Sequence, residues 1–289
     1  MHCTRSRSNP RSPERQLMNH QVTMLHVHIY LPLVFREGID TCHGIMDYFE
    51  LGKYHRRIST KNQECQTWFN RGLIWSYAFN HEEATTCFNK ASEEDPECIM
   101  TLWGTAFALG PNYNKPWEMF DEDEMEKNIS RSRSAVQKAK EIATASNSAE
   151  VERALVNAIH FRYQDGSQDR SNWNFDYAQA MEEVYRQFGE DLDVAALYAD
   201  ALMNLTPWSL WDLRSGRPAE GARTLEVKAV LDRALGQQGG MEHPGLLHLY
   251  IHMIEMSSKP EDGLFAADAL RGLVPDAGHL LHMPTHLDV

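Results

Sequence analysis

His248 and His252 lie four residues apart in Leu246-Leu247-His248-Leu249-Tyr250-Ile251-His252, and the pattern returns 34 residues later as Leu280-Leu281-His282-Met283-Pro284-Thr285-His286. Histidines at i and i+4 of a helix present both rings on one face, the arrangement by which a helical pair chelates an ion. Imidazole-rich ligation suits zinc, iron or copper better than calcium or magnesium, which take oxygen ligands. Two such pairs on packed helices, with axes about 8–10 Å apart, converge on one metal or hold two. His243 and His279 stand close enough in sequence to complete or support the shell. Glu255 is the candidate acid/base, or the partner that a ligating imidazole needs for its second nitrogen. Without a metal, the same histidines serve as a polar groove that hydrogen-bonds internally, caps loops or holds a peptide carboxylate.

Other chemistries fit less well. A zinc protease motif needs glutamate where Leu249 follows the first histidine. A di-iron carboxylate site needs several inward glutamates, and only Glu255 is near. Neither a nucleotide-binding glycine loop nor a Gly-x-Ser-x-Gly nucleophile motif occurs.

The elements that position these residues are legible in the spacing. An offset of 34 residues is the period of the tetratricopeptide repeat, in which each unit is a pair of antiparallel helices. Cys65 to Pro96 follows that pattern, with Trp68, Gly72, Trp75, Ala84, Phe88, Ala91 and Pro96 at the signature places. Small Gly72 and Ala84 let the two helices approach, and Trp68, Trp75 and Phe88 fill the space between them. Asn80 with Glu83 reads as a capping-box start for the second helix, and Asp95-Pro96 as the start of the next. His81 falls in a first helical turn, and Gly110 to Trp117 is a specific loop in which Asn112 and Asn114 make turn hydrogen bonds.

Helical patterns follow at 125–145, at 149–163 behind the cap candidate Ser148, at 175–188, 194–205 and 220–235, with loops at 164–174 and 206–218. Trp103, Trp117, Trp208 and Trp211 read as packing residues. The acidic run Asp121 to Glu126 reads as a solvated helix start. With Pro244 opening one unit and Gly278 the next, the histidines take positions that line a concave groove and face away from the inter-helix core. Pro284 places the start of the last helix near itself, leaving His279 and His282 on the entering turn.

Beyond this generic repeat, the chain from about Met46 resembles a family of tetratricopeptide-repeat proteins of bacteria and filamentous fungi. Phe79-Asn-His-Glu-Glu-Ala84, Ala108-Leu-Gly-Pro-Asn-Tyr-Asn114, His243-Pro244-Gly245, Tyr250-Ile-His252 with Glu255, and Gly278-His-Leu-Leu-His-Met-Pro-Thr-His286 carry the resemblance. It implies the fold and no particular reaction. Family members continue beyond the position of Val289, which implies a C-terminally truncated array. Residues 1–45 have no counterpart and read as a disordered or non-native leader, with Met46 as the functional start.

Composition bounds the rest. A formal net charge of −13 disfavours nucleic acid as a partner. Five cysteines without a C-x-x-C pair suggest reduced thiols in a cytoplasmic protein. No apolar run is long enough to span a membrane. The basic, serine-rich leader followed by the apolar stretch 22–35 only mimics a secretion signal, because no small-residue cleavage site follows.

The resulting expectation is an all-α, right-handed tetratricopeptide-like solenoid over 46–289. It acts as a scaffold for a protein or peptide segment in a histidine-rich groove that holds a metal. The alternative is a metal-dependent oxygenase or hydrolase acting on a small molecule, for example in secondary metabolism.

Overall fold

The computed structural model describes residues 48–164 and 172–288. The leader 1–45, Met46, the cysteines at 3 and 42, and most of the loop expected at 164–174 lie outside the described residues. Within them the fold is all-α. The α-helices run α1 Gln63–Tyr77, α2 His81–Glu94, α3 Ile99–Ala108, α4 Glu122–Ala145, α5 Glu150–Ile159, α6 Trp173–Phe188, α7 Leu192–Met203, α8 Thr224–Leu235, α9 Pro244–Ile254, α10 Leu264–Leu270 and α11 Gly278–His282. Their one interruption by strand is a short antiparallel pair, β1 Trp211–Asp212 with β2 Arg217–Pro218, inside the segment expected to be a plain loop. No described helix is long and apolar enough to cross a membrane.

Local chemistry accounts for the first helix pair. Asn62 caps α1 by accepting from the N–H groups of Glu64 and Cys65 at 2.8 and 3.1 Å. Asn80 caps α2 by accepting from Glu83 N–H. The Glu83 carboxylate does not close a reciprocal box, because it accepts from the Tyr48 hydroxyl at 2.7 Å. Phe88 is fully buried, and its ring fills the space beside Gly72 of α1 and Gly104 of α3, where a Cβ would approach it to 2.8 and 2.4 Å. Trp68 is half-buried, with Arg71 and Lys90 over its indole at 4.4 and 4.2 Å.

Several helix starts differ from expectation. Asp95 closes α2 and spends its carboxylate on the Thr60 hydroxyl and the Glu97 N–H, so α3 begins at Ile99 behind Cys98. Ala149, not Ser148, precedes α5, and the Ser148 hydroxyl faces that of Ser146 at 3.0 Å. Gly221, at φ +79, keeps the chain out of helix until Thr224. The acidic start of α4 is as expected, capped by Asp121 accepting from Glu124 N–H at 2.7 Å.

Consecutive helices from α1 to α10 pack against one another, and α9 also packs on α1 and α7. Gly245 makes the α1 contact possible, since a Cβ there would lie 2.6 Å from the Tyr77 ring. The side of α9 expected to border an open groove is thereby covered, and every residue of this helix is buried.

Candidate metal centre

The site begins at the entrance to α9. His243 precedes the helix and its Nδ1 accepts the Leu246 N–H at 3.2 Å, a side-chain cap supplied by an imidazole. That bond leaves the ring proton on Nε2, which faces Asp193 Oδ1 of α7 at 3.3 Å. Asp193 also accepts from the hydroxyls of Tyr54 and Tyr77, each at 2.6 Å, and from Arg56 Nη1 at 2.8 Å. Burial alone raises the Asp193 pKa, but the Arg56 guanidinium and the His243 and Tyr54 donors hold it well below the usual carboxylate range. Thus His243, expected to complete a metal shell, instead anchors α9 to a buried ionic network.

Five imidazoles gather beyond that anchor. His248 donates from Nδ1 to the Tyr77 carbonyl at 2.6 Å, which frees the lone pair on its Nε2. That Nε2 lies 3.0 Å from His279 Nε2. His252 donates from Nδ1 to Glu255 Oε1 at 2.8 Å, leaving a buried Nε2 without a partner. The His286 Nδ1 meets the other Glu255 oxygen, and its Nε2 lies 2.9 Å from His282 Nε2. Ligand atoms of His248, His252 and His279 all fall within 4.8 Å of one another, as do those of His252, Glu255 and His286.

This arrangement meets the chemical demand of ligation, because a metal takes the neutral imidazole lone pair while the second nitrogen is held by an acceptor. Burial, followed by the neighbouring His252 and His279, holds the His248 pKa well below its ordinary value. Burial and His252 likewise push His279 down to about 3. Both rings are therefore unprotonated at neutral pH. Glu255 is raised by burial, yet the hydrogen bonds from His252 and His286 prevail and bring it to about 2. It is an ionised acceptor that orients two imidazoles.

The histidines do not face an open groove. His248 and His252 are 0% and 1% exposed, with His279 half-buried and only His282 well exposed. The last helix begins at Gly278, upstream of Pro284, so His279 and His282 are helical while 283–286 continue as a 3-10 turn. Proline supplies no N–H and clashes with a preceding carbonyl, which explains the change of winding.

Three aromatic residues complete the enclosure. The Phe79 ring centroid lies 4.4 Å from His248, 5.7 Å from His252 and 5.6 Å from His279. Tyr113, fully buried, lies 5.2 Å from His252, and Trp208 packs edge-on against the same ring at 6.0 Å. Phe79 and Trp208 are the non-glycine residues with positive φ among those described, at 54° and 60°. Such a backbone costs about 1–3 kcal/mol and is concentrated at functional sites. Sequence spacing reaches neither Phe79 nor Tyr113, although each stands beside a residue singled out there, Asn80 and Asn112. Trp208 keeps its packing role, with His252 as the partner.

Among the remaining candidates, Asn112 makes the expected turn bonds, accepting from the N–H groups of Asn114 and Lys115, each at 2.9 Å. His81 occupies the first turn of α2, with Nδ1 facing the Gly110 carbonyl at 3.3 Å. The loop carrying Tyr113 is thus tied to α2 on one side and laid over His252 on the other.

The chain matches no family model, and no curated protein or solved structure is found to be similar to it.

Proposed function

We propose that these helices form a tetratricopeptide-like array wound closely enough to enclose a transition-metal centre, and that the protein is a metal-dependent enzyme acting on a small molecule. The carrying observation is the orientation of the imidazoles: Nδ1 of His248 and His252 is held by the Tyr77 carbonyl and Glu255, so each Nε2 carries a lone pair, that of His248 facing His279 Nε2 at 3.0 Å and that of His252 without a hydrogen-bond partner. Zinc, iron and copper suit three nitrogen ligands, which leave a coordination position for water or substrate. A metal held there would supply Lewis acidity and, if it were iron or copper, redox chemistry toward a small molecule. The chain's part is to fix the rings, exclude bulk water with Phe79, Tyr113 and Trp208, and keep Glu255 ionised behind His252.

A histidine-rich peptide groove is less well supported, because the paired rings of α9 are buried. The scaffold reading rests instead on a separate open cleft of about 860 Å³ between α5 and α6, lined by Ala154, Phe161, Ala180, Val184 and Phe188 among polar neighbours. That volume lies within the usual range for ligand pockets.

Metal content measured by plasma mass spectrometry on untagged protein tests the first reading, beside a folded His248→Ala/His252→Ala variant. Near-stoichiometric metal in the parent and its loss in the variant are expected. An absence of metal after reconstitution with zinc, copper and iron would leave the scaffold. Azide perturbation of the visible spectrum of the cobalt form reports the open position that an enzyme requires, and a silent spectrum argues for a purely structural ion.

A further inference from the structure

The outer histidine pair brings two ring nitrogens together at the solvent edge of the cluster, with His282 Nε2 2.9 Å from His286 Nε2. Thr285 donates its hydroxyl to the His282 carbonyl at 2.7 Å, so its oxygen is left to accept from His282 Nδ1 at 3.3 Å. His286 in turn presents Nδ1 to the Glu255 carboxylate. When both rings carry their proton on Nδ1, as these partners allow, their Nε2 lone pairs face each other at 2.9 Å, the tautomer that metal ligation through Nε2 requires. Two acceptors at that distance repel unless a proton or a metal ion lies between them. The inner pair differs: His279 can donate from Nε2 to His248, whose own proton is committed to Tyr77.

We infer that His282 and His286 form a second metal position, on the solvent side of the buried one, for a divalent transition-metal ion completed by water. This inference rests on the reading of His248, His252 and His279 as the first position. Nitrogen ligands at about 2.0–2.1 Å from a tetrahedral ion stand roughly 3.3 Å apart, so the outer pair needs to open by only a few tenths of an ångström. The two positions are adjacent but separate. His252 and His286 have ring centroids 5.7 Å apart and His279 and His282 6.4 Å apart, yet the close-set ligand atoms of the inner group exclude His282. Glu255 joins the two, one oxygen serving His252 and the other His286. Exposure of His282 lets an ion arrive with part of its hydration shell.

Equilibrium dialysis of the chelator-stripped full chain against zinc and, separately, cobalt tests the assignment, with bound metal counted per chain. Two equivalents are expected, the second held more weakly, and His282→Ala should retain one. The first ion's affinity in that variant should fall by less than the about 10-fold loss that accompanies removal of an outer partner. His286→Gln, which keeps a polar side chain, should also retain one. A single equivalent in the parent that His282→Ala keeps overturns the second position while leaving the first reading intact, whereas a single equivalent that His282→Ala loses puts the ion on the outer pair and overturns the first reading as well. No bound metal in the parent overturns both.

Discussion

Around His248 the chain is an uninterrupted helix of eleven residues, buried throughout, whereas around His282 the same Leu-Leu-His-x-x-x-His spacing falls on a helix of five residues that passes into a 3-10 turn. Leu246 and Leu247 are both fully buried in the first copy. In the second, Leu280 is buried and Leu281 is 44% exposed. The α9 entrance is capped by His243, while Ala277 offers α11 no side-chain cap. Identical spacing thus yields an inner copy buried on all sides and an outer copy anchored by Leu280, Met283 and Pro284, with His282 and His286 bonded to Thr285 and Glu255 at the edge. Ligand spacing specifies which residues can meet, and the framework decides how firmly they do so.

The contrast is tested most severely at Asp193, on which the inner copy depends. Asp193→Asn should cost about 3–5 kcal/mol in chemical denaturation at neutral pH, because it leaves buried Arg56 with only Asp191 and weakens the His243 anchor. The sign with pH follows from the depressed native pKa. The stabilisation is complete above the ordinary carboxylate range and declines as the pH falls below it toward the depressed native value, so the difference between parent and variant should narrow between about pH 4 and 2. A constant difference across that interval would mean that Asp193 acts by shape alone.

Glu255→Gln addresses the link between the copies. Removing the ionised acceptor behind His252 and His286 should weaken metal binding about 10–100-fold in chelator competition. Unchanged affinity would show that the carboxylate is dispensable to both rings. The smallest effect on stability is expected at Pro284. Pro284→Ala lets the α-helix continue, turning His286 relative to His282, with a stability change of under about 1 kcal/mol and selective loss of the weaker ion. If the tightly held ion were lost as well, the two copies would be one unit.

Much of the fold was legible because it is written in local signals. The Asn80 cap, the Gly72–Phe88 approach, the acidic start of α4 and the apolar α9 behind His243-Pro244 each depend on residues close in sequence or on a repeated spacing. The imidazole cluster was legible for the same reason. His243 misled because an imidazole that caps a helix has the same composition as one that binds metal. Asp193 gave no signal, since a carboxylate at a helix start ordinarily meets water, and only tertiary packing brings Arg56, Tyr54, Tyr77 and His243 onto it. The left-handed backbones of Phe79 and Trp208 were not legible, because such a conformation at a non-glycine residue is imposed by the surroundings.

Tyr77 belongs to both systems: its hydroxyl donates to Asp193 and its carbonyl accepts from His248. One residue thereby connects His248 with the network that holds Tyr54 and Arg56. Under the proposed function, ion loading and the docking of that stretch become a single linked equilibrium, in which tightening either tightens the other by the same free energy. The metal would then be a part of the fold's own tension as much as a reagent held within it.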